Sequence, residues 1–588
     1  MISNITQELK VRQIEPRPTV EIHLPDGRTY EGPRGERVET FLKVLPEWKT
    51  TPIVGAIINR ELRELTFPIE NESKVIPISM NDVDGARIYR RSITFMLEAA
   101  FEDIFPDLVL SVDHSVASGG FFCEVLNHEP LTKEDLIRLE NRMHELVNAN
   151  LPFEKNEVLL QEAVDWFKDH GAMDKVHLLK FRQKDYMVLY QLGEHRDYHH
   201  GYMVPSTGYL KWFALSPLGD GFILRYPRRQ DSQQIVPIIE SPMLLKTFRQ
   251  YGSWLVKLGI DSAGSLNEAI INDRISELIL MSEALHEQKI AEIAGQIAYR
   301  KGQVHVVLIA GPSSSGKTTF SKRLAIQLLA NGIEPYALEL DNYFVDRVKT
   351  PKDAKGEYDF EAIGAVNTER LNQDLLKLIE GEEVQLPFYN FKKGLSEEGE
   401  KVKLKKDQLM ILEGIHGLNP KLVPHLPQEY TYRIYASCMT QLNLDRHNRI
   451  STTDTRLLRR IARDASERGY SAQQTIHQWE SVRRGEKSHI FPYQEYANEM
   501  FNSALVYELA ALKPFVEPLL RQVPFGTPEY IEAKRLLALL EWFLPVPVKI
   551  IPDNSILREF VGDSILKNFK LWESVKEDGY EDERYITK

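Results

Sequence analysis

The sequence predicts a chain of several domains that combines α/β and α+β architecture. Its 588 residues are 43% hydrophobic and 27% charged, a globular composition at a length that suggests about three to five domains. After Val304, short apolar runs alternate with helical stretches, which is typical of a doubly wound parallel sheet. Before that point, strands and helices follow one another in an α+β order.

Residues 1–80 are predicted to form a small β-grasp module. Two short alternating runs flank a Pro-Asp-Gly turn after Thr19, a helix follows over Val38–Leu45, and two strand pieces complete a sheet packed on one helix. Residues 81–230 are predicted to form an α+β domain with a helix over Lys133–Ala149 and a strand over Lys175–Arg182.

The second half of the chain divides into three predicted parts. Residues 231–300 form a helical connector, in which Ser265 and Glu268 have the spacing of a capping box before one long periodic helix. Residues 301–515 contain the four apolar strands VHVVLIAG, PYALELDNYF, QLMILEG and YTYRIYAS. Residues 516–588 are a C-terminal helical extension.

Charge and cysteine content exclude several classes of protein. Asp and Glu number 85 against 73 Lys and Arg, so any nucleic-acid surface must be local. Two cysteines, Cys123 and Cys438, are too few for a disulfide-stapled secreted fold and lack the spacing of a structural zinc site. Residues 1–30 lack a signal-peptide pattern, and no apolar run is long enough to span a membrane. We therefore expect a cytoplasmic protein without a membrane partner.

A phosphate-binding motif follows the first apolar strand of the second half. The sequence GPSSSGKT fits the Walker A pattern and leads into the helical stretch FSKRLAIQLLA, so that backbone N–H groups and a helix N-terminus can bind phosphates. Lys317 is predicted to contact the β- and γ-phosphates, and Thr318 to bind Mg²⁺. The predicted nucleotide-binding residues are Gly311, Pro312, Ser313, Ser314, Ser315, Gly316, Lys317, Thr318 and Thr319.

The next two predicted strands of this region end in carboxylates. Asp341 follows ALEL and Glu413 follows LMIL, and parallel sheets collect ligands at these carboxyl ends. A phosphoryl-transfer enzyme needs one carboxylate to accept a proton and another to order the metal, so Asp341 is the predicted base and Glu413 the predicted metal-side acid. The alternatives are a turn or capping aspartate and a solvated acid at a strand end.

An arginine-rich segment, DTRLLRRIARDASERG, follows the last predicted strand. On a helix, Arg456, Arg460 and Arg463 share one face. A solvated charged face is the common explanation for such a helix. Next to a phosphate-binding loop, these arginines are predicted to neutralise charge on the transferred phosphoryl group.

Taken together, these motifs resemble the uridine kinase and phosphoribulokinase family of P-loop kinases. The matching stretches are GPSSSGKTTFSKRL, LELDNYF, LPFYNF, ILEGIHGL and DTRLLRRIARDASERG. The resemblance implies ATP, Mg²⁺ and a small-molecule nucleoside or sugar acceptor. It also implies catalytic roles for Asp341, Lys317 and Arg463, and acceptor contacts by Tyr343, Tyr389, Arg460, Arg468 and Gln478.

The positions that recognise the acceptor depart from this family. The family's ribose-binding His-Pro-Asp stretch is Ala362-Ile363-Gly364 here, its Tyr-Asp-Phe-His stretch begins Tyr389-Asn390, and an expected Arg is Tyr470. Buried polar contacts to the base discriminate between nucleosides, so the resemblance does not settle pyrimidine selectivity. Glu361 or Asp359 is a candidate for binding the ribose diol instead.

The first 230 residues resemble the accessory region of threonyl-tRNA synthetase. VEIHLPDGRTYEG resembles its TGS module, and VPSTGYLKWFALS lies in a stretch that resembles its second additional, editing domain. The editing motif's four metal-binding positions are Arg91, Phe95, His199 and Met203 here. One imidazole cannot make a metal site, so hydrolytic editing is not expected. RNA contact and homo-oligomerisation stay open.

These features predict an ATP-dependent nucleoside kinase that phosphorylates the 5′-hydroxyl of uridine, cytidine or a related compound. A kinase of another sugar, a phosphosugar or a modified nucleoside is a second hypothesis. A third is an RNA- or ribosome-binding factor in which the nucleotide site acts as a switch.

Overall fold

The computed structural model describes residues 15, 17–116, 119–352, 356, 358–390, 393–440 and 442–569. Residues 1–14 and 16 lie outside this part of the chain. They belong to residues 1–30, the stretch predicted to lack a signal peptide.

The first sheet is built on the predicted hairpin. Its elements are β1 (Thr19–His23), β2 (Thr29–Pro33), α1 (Val38–Lys43), β3 (Ile53–Ile58), β4 (Glu61–Arg63) and β5 (Ser73–Ser79). Gly27 has φ +88°, the left-handed conformation that suits glycine in the connecting turn. The strand order is β2-β1-β5-β3-β4, with β1 and β5 parallel at the centre, and Phe41 and Leu42 of α1 are buried against the sheet.

Two antiparallel sheets follow. The elements are α2 (Val83–Ile104), β6 (Leu110–Ser115), β7 (Phe121–Val125), α3 (Lys133–Ala149), β8 (Glu154–Leu159), α4 (Leu160–Asp169), α5 (Met173–Leu179), β9 (Tyr186–Leu192), β10 (His195–Asp197), β11 (Ala214–Leu218) and β12 (Gly221–Arg225). The strand orders are β11-β12-β7-β6 and β10-β9-β8. Helix α3 has the predicted bounds because Thr132 and Asp135 form a capping box at its start.

The strand predicted over Lys175–Arg182 is wrong, because most of this stretch forms helix α5. Leu178 and Leu179 are buried in the apolar core that also contains α4 and α7, so packing overrides the local alternation of the sequence. Lys175 is buried in this helix, with a side chain that is 3% exposed.

Three helices form the connector, namely α6 (Pro242–Leu258), α7 (Ala263–Ile271) and α8 (Ile275–Tyr299). The predicted cap is displaced by three residues, since Ser262 is the N-cap and Ser265 is its partner. The single long helix is also divided, because Asp273 adopts φ +56° between α7 and α8.

The last region contains the predicted parallel sheet. Its elements are β13 (Val306–Ala310), α9 (Lys317–Ala330), β14 (Pro335–Glu339), α10 (Thr368–Ile379), β15 (Val384–Asn390), β16 (Leu395–Val402), β17 (Leu409–Glu413), β18 (Thr431–Ser437), α11 (Thr452–Arg463), α12 (Ala472–His489), β19 (Glu499–Asn502), α13 (Glu508–Arg521), α14 (Pro528–Leu540) and α15 (Arg558–Val561). Strands β14-β17-β13-β18-β19 are hydrogen-bonded in that order, all in parallel. Strands β15 and β16 form a separate hairpin.

Both faces of this parallel sheet are buried. Val307 and Ile309 of β13 face a core shared with α8, α9 and the C-terminal helices, whereas Val306 and Leu308 face a second core shared with α10. The mixed α/β class is therefore confirmed. The domain boundaries stay a prediction, because the larger core extends without interruption from α4 to α15. In the part of the chain that the structure describes, no helix has the length and apolar character needed to cross a bilayer.

Candidate active site at the phosphate-binding loop

The phosphate-binding loop, residues 311–319, joins β13 to the N-terminus of α9. Gly316 caps α9 with φ +79°, a conformation that glycine adopts without strain. A Cβ atom on Gly311 would lie 1.9 Å from the carbonyl oxygen of Ala436 on β18, so only glycine fits at the start of the loop. These two positions bring the loop backbone and the helix N-terminus into the geometry that binds anions.

The loop presents a lysine and two buried hydroxyl groups. Lys317 donates a hydrogen bond from Nζ to the carbonyl oxygen of Pro312 at 3.2 Å, and burial lowers its pKa. The Oγ atoms of Ser314 and Ser315 are buried and have no hydrogen-bond partner among the described residues. Such groups are costly to leave unpaired, and phosphate oxygens would satisfy them.

Two predicted carboxylates meet beside this loop. Strand β17 lies between β13 and β14, so Glu413 at its end lies close to Asp341, which follows β14 in a 3-10 turn. The hydroxyl of Thr318 donates to Glu413 Oε1 at 3.1 Å. Burial raises the pKa of Glu413 to about 7, while Lys317 opposes this rise. Asp341 is exposed, yet desolvation by the surrounding protein raises its pKa as well.

The arginines of α11 lie against the loop. Arg456 donates from Nε to the carbonyl oxygen of Ser313 at 2.9 Å, and Arg460 donates from Nη1 to Ser313 Oγ at 2.9 Å. Arg459, on the buried side of the helix, bonds Glu508 and Ser503. The solvated-face explanation is therefore inconsistent with this helix, because the side chains of Arg456, Arg460 and Arg463 are only 1%, 11% and 14% exposed.

The remaining predicted acceptor residues have different surroundings. Arg468 pairs with Asp464 at 3.0 Å and has a side chain 47% exposed. Gln478 is exposed on α12. Tyr343 is 2% exposed in the core beside α10, and Tyr389 is 1% exposed with its ring edge-on to Phe344. Their roles as acceptor contacts stay predictions.

Two carboxylates at the loop are absent from the sequence-based predictions. Glu486 of α12 is buried, accepts a hydrogen bond from the N–H of Ser313 at 3.0 Å and pairs with Arg456. Glu559 of α15 accepts hydrogen bonds from the N–H of Thr319 at 3.3 Å and from its hydroxyl at 2.9 Å. Neither residue lies in a recognisable motif, so only tertiary packing reveals them.

Glu559 belongs to a C-terminal segment, residues 551–569, that packs over the loop. Ile556 contacts Gly316 closely enough that a Cβ on the glycine would lie 2.4 Å from its Cγ2 atom. Lys322 of α9 donates to the carbonyl oxygen of Leu566 at 2.6 Å. Glu559 also pairs with Arg463 at 3.5 Å. A nucleotide that binds the start of α9 therefore competes with this carboxylate.

Glu361 lies between the loop and α12. It packs against Gly485, and burial raises its pKa to about 7, with Glu486 adding to the rise and Arg460 and Lys317 opposing it. Nearby, Asp359 lies 3.9 Å from His489, whose ring is edge-on to that of His416. Burial lowers the pKa of His416 to about 4. The ribose-diol candidates Glu361 and Asp359 therefore lie in polar surroundings near Lys317 and Glu486.

Sequence comparison agrees with this geometry. Residues 306–509 match the model of the Phosphoribulokinase / Uridine kinase family. We refer to them below as the kinase-family segment. The match begins at β13 and ends in α13, so it contains the loop, both predicted carboxylates and the arginines of α11.

The amino-terminal half matches a different set of proteins. Threonine--tRNA ligase of Prochlorococcus marinus (strain MIT 9515) is 27% identical over 215 residues, which is 36% of this chain and 34% of the ligase. Threonine--tRNA ligase 1 of Bacillus subtilis (strain 168) is 32% identical over 205 residues, or 34% of this chain and 32% of the ligase. The chain spans about a third of the length of these relatives.

Among solved structures, a possible uridine kinase from Bacillus stearothermophilus is 21% identical, with 25% of this chain and 80% of that chain covered and a TM-score of 0.21. The phosphoribulokinase from Rhodobacter spheroides is 15% identical, with 34% and 70% covered and a TM-score of 0.23.

The four positions of the editing motif come together in the structure. The ring of Phe95 on α2 lies 5.3 Å from that of His199, and Arg91 donates to the carbonyl oxygen of Tyr202 at 2.5 Å. Phe95 and Met203 are at most 1% exposed. An aromatic ring and a thioether thus pack in this interior, while His199 bonds Glu98 one turn farther along α2.

Proposed function

We propose that the kinase-family segment transfers the γ-phosphoryl group of ATP to the 5′-hydroxyl of a nucleoside related to uridine or cytidine. The observation that carries this proposal is the meeting of Asp341, Glu413 and Lys317 at the phosphate-binding loop. Phosphoryl transfer needs this set, because positioning and charge neutralisation supply most of the catalysis.

Asp341 is the proposed base. The residue is exposed, so an acceptor hydroxyl can approach it, and its pKa is raised by desolvation. A higher pKa favours proton acceptance from an alcohol. Lys317 lies close enough to oppose this rise in pKa and can bind the donor phosphates.

Thr318 and Glu413 fit a Mg²⁺ site, because their oxygen atoms lie 3.1 Å apart beside the loop and Mg²⁺ prefers hard oxygen ligands. When bound there, Mg²⁺ would neutralise charge on the donor phosphates. Thr318 and Glu413 would both hold the cation, through the threonine hydroxyl and a carboxylate oxygen.

Arg460 and Arg463 supply the remaining positive charge. Arg460 donates a hydrogen bond to Ser313 of the loop. Its Nε also donates to Asp464 Oδ2 at 3.2 Å, which holds the guanidinium group in place. Arg463 pairs with Glu559, so it becomes available to phosphate when that carboxylate is displaced. Both guanidinium groups would stabilise charge on the phosphoryl group during transfer.

The acceptor region favours a neutral, hydroxyl-rich compound. Glu361 and Asp359 present carboxylates where the family's ribose-binding Asp is missing, and carboxylates accept hydrogen bonds from a diol. A phosphosugar would meet like charge here, which disfavours that alternative relative to a nucleoside or an unphosphorylated sugar.

The experiment is a phosphorylation assay with the full chain, Mg-ATP and a panel of nucleosides and sugars, read by mass spectrometry. We expect a 5′-monophosphate from at least one nucleoside, with Asp341→Asn lowering kcat by about 10²–10⁴-fold. The control is Asp407→Asn, in the turn before β17 and at the opposite end of that strand from the loop, which should retain activity. Product from sugars but from no nucleoside would refute the proposed acceptor.

The nucleotide-gated binding hypothesis has one observation in its favour. The turn before α11 contacts the amino-terminal half, through Asp445 to Lys175 at 2.8 Å and Asn448 to His200 at 3.1 Å, while α11 itself bonds the loop. A change at the loop on nucleotide binding would therefore be transmitted to the synthetase-like half through one helix. Binding of tRNA that depends on ATP, without any phosphorylated acceptor, would favour this function over the kinase.

A further inference from the structure

A second polar cluster lies in the interior of the amino-terminal half, apart from the phosphate-binding loop. Glu98 of α2, Asp197 of β10 and His199 each offer a ligand atom, and these three atoms lie within 4.8 Å of one another. All three residues are buried, with side chains at most 3% exposed. We call these residues, together with His195 and His447, the histidine–carboxylate cluster.

Three imidazole rings surround one carboxylate oxygen of this cluster. Glu98 Oε2 lies 2.9 Å from His199 Nε2, 3.5 Å from His447 Nδ1 and 3.6 Å from His195 Nε2. Ligands bound to zinc at about 2.0–2.1 Å in a tetrahedron stand about 3.3 Å apart. The observed separations have the size that a shared metal would require, and two of them are too long for hydrogen bonds.

Two atoms of the cluster lack hydrogen-bond partners among the described residues. One is Glu98 Oε1 and the other is His195 Nε2, and both are buried. An ionised carboxylate oxygen without a partner in the interior carries a substantial desolvation cost. A cation that both oxygens of the Glu98 carboxylate and His195 Nε2 coordinate would satisfy both.

The charges of the cluster do not balance by themselves. Three buried carboxylates, those of Glu98, Asp197 and Asp445, lie in or next to the cluster. The ammonium group of Lys175 pairs with Asp197 at 3.0 Å and with Asp445 at 2.8 Å. Three negative charges against one positive charge leave about two to be compensated in a low-dielectric interior. Either a divalent cation or two protonated imidazoles would do so.

We propose that Glu98, Asp197 and His199 bind a divalent transition metal ion, with one neighbouring imidazole of the cluster, that of His195 or His447, as the fourth ligand. Imidazole and carboxylate ligands in a closed, buried site suit zinc. His447 Nδ1, 2.8 Å from Asp197 Oδ2, comes from the kinase-family segment, whereas the other residues come from the synthetase-like half. The proposed site therefore lies where the two parts of the chain meet.

The aromatic residue in the editing-motif position supports this arrangement. The ring of Phe95 lies 5.0 Å from His195 and 5.3 Å from His199, so it fixes the orientation of both imidazoles from the apolar side. The site is thus displaced by one helical turn along α2, from position 95 to Glu98.

Metal content of the full chain tests the proposal. The purified protein is stripped with a chelator and dialysed against Zn²⁺ with excess Mg²⁺ to fill the phosphate-binding site, and zinc is then measured by mass spectrometry. We expect about one zinc per chain, and less than about a tenth of that for Glu98→Gln and for His199→Ala. His128→Ala, at an exposed histidine outside the cluster, is the control and should retain the metal.

A measurement on the unmutated chain covers the case in which a variant fails to fold. Co²⁺ added to the stripped protein should produce visible d–d absorption that saturates at about one equivalent and that Zn²⁺ removes. The proposal is overturned if the stripped chain binds neither metal at this stoichiometry, or if both folded variants still bind one zinc. The first result would assign the charge balance to protonated imidazoles instead.

Discussion

Glu559 provides the sharpest test of the loop geometry, because its carboxylate lies at the start of α9, where the proposed nucleotide phosphates would bind. It accepts two hydrogen bonds from Thr319, at 3.3 Å from the backbone N–H and 2.9 Å from the hydroxyl, and it pairs with Arg463. Glu559→Gln keeps the size of the side chain and removes the charge. We expect this variant to bind ATP more tightly than the unmutated chain.

The size of the gain follows from these contacts. A hydrogen bond to a charged group contributes about 1.5–3 kcal/mol, against about 1 kcal/mol for a neutral one. Removing the charge therefore lowers the cost of displacing the side chain by about 1–2 kcal/mol. Since 1.4 kcal/mol corresponds to a tenfold change in Kd, ATP affinity should rise by about 5–30-fold.

Calorimetric titration of the full chain with ATP and Mg²⁺ measures this change. The matched control is Asp553→Asn in the same C-terminal segment, where the carboxylate is 70% exposed and pairs only with Arg558 at 3.6 Å among the described contacts. An unchanged or weaker affinity for Glu559→Gln would refute the competition. An equal gain in the control would also refute it, since the effect would then reflect overall charge.

Three further predictions concern the loop and its supports. Because burial raises the pKa of Glu413 to about 7, Mg²⁺ affinity should rise about tenfold per pH unit up to pH 7 and then level off, and Glu413→Gln should flatten that profile in Mg²⁺ titrations. Glu361→Gln should raise the acceptor KM more than it lowers kcat in steady-state assays, since its carboxylate is proposed to bind the acceptor and not the phosphoryl group. Glu508→Ala leaves the buried guanidinium of Arg459 without its carboxylate, so urea unfolding should show a loss of about 3–5 kcal/mol, whereas Glu517→Ala on the same helix should cost less than about 1 kcal/mol.

Local sequence predicted the elements whose signals lie within a few residues. The hairpin around Gly27, the bounds of α3 and the strand-loop-helix unit at the phosphate-binding loop follow from turn residues, a capping box and glycine spacing. Helix α5 could not be predicted from local sequence, because the spacing of its apolar residues fits either a strand or a helix. Only their packing beside α4 and α7 decides between the two.

By itself, the sequence determined that this chain carries a phosphate-binding loop with Asp341 and Glu413 at the ends of following strands, since that chemistry is encoded in short motifs. Tertiary structure alone decided that Glu486 and Glu559 contact the loop, and that Glu98 gathers imidazoles from distant parts of the chain. Residues 98 and 447 are far apart in sequence, and no periodicity or spacing relates them. Their proximity is a consequence of burying the apolar surfaces of two halves against each other, which brings their polar groups into one interior.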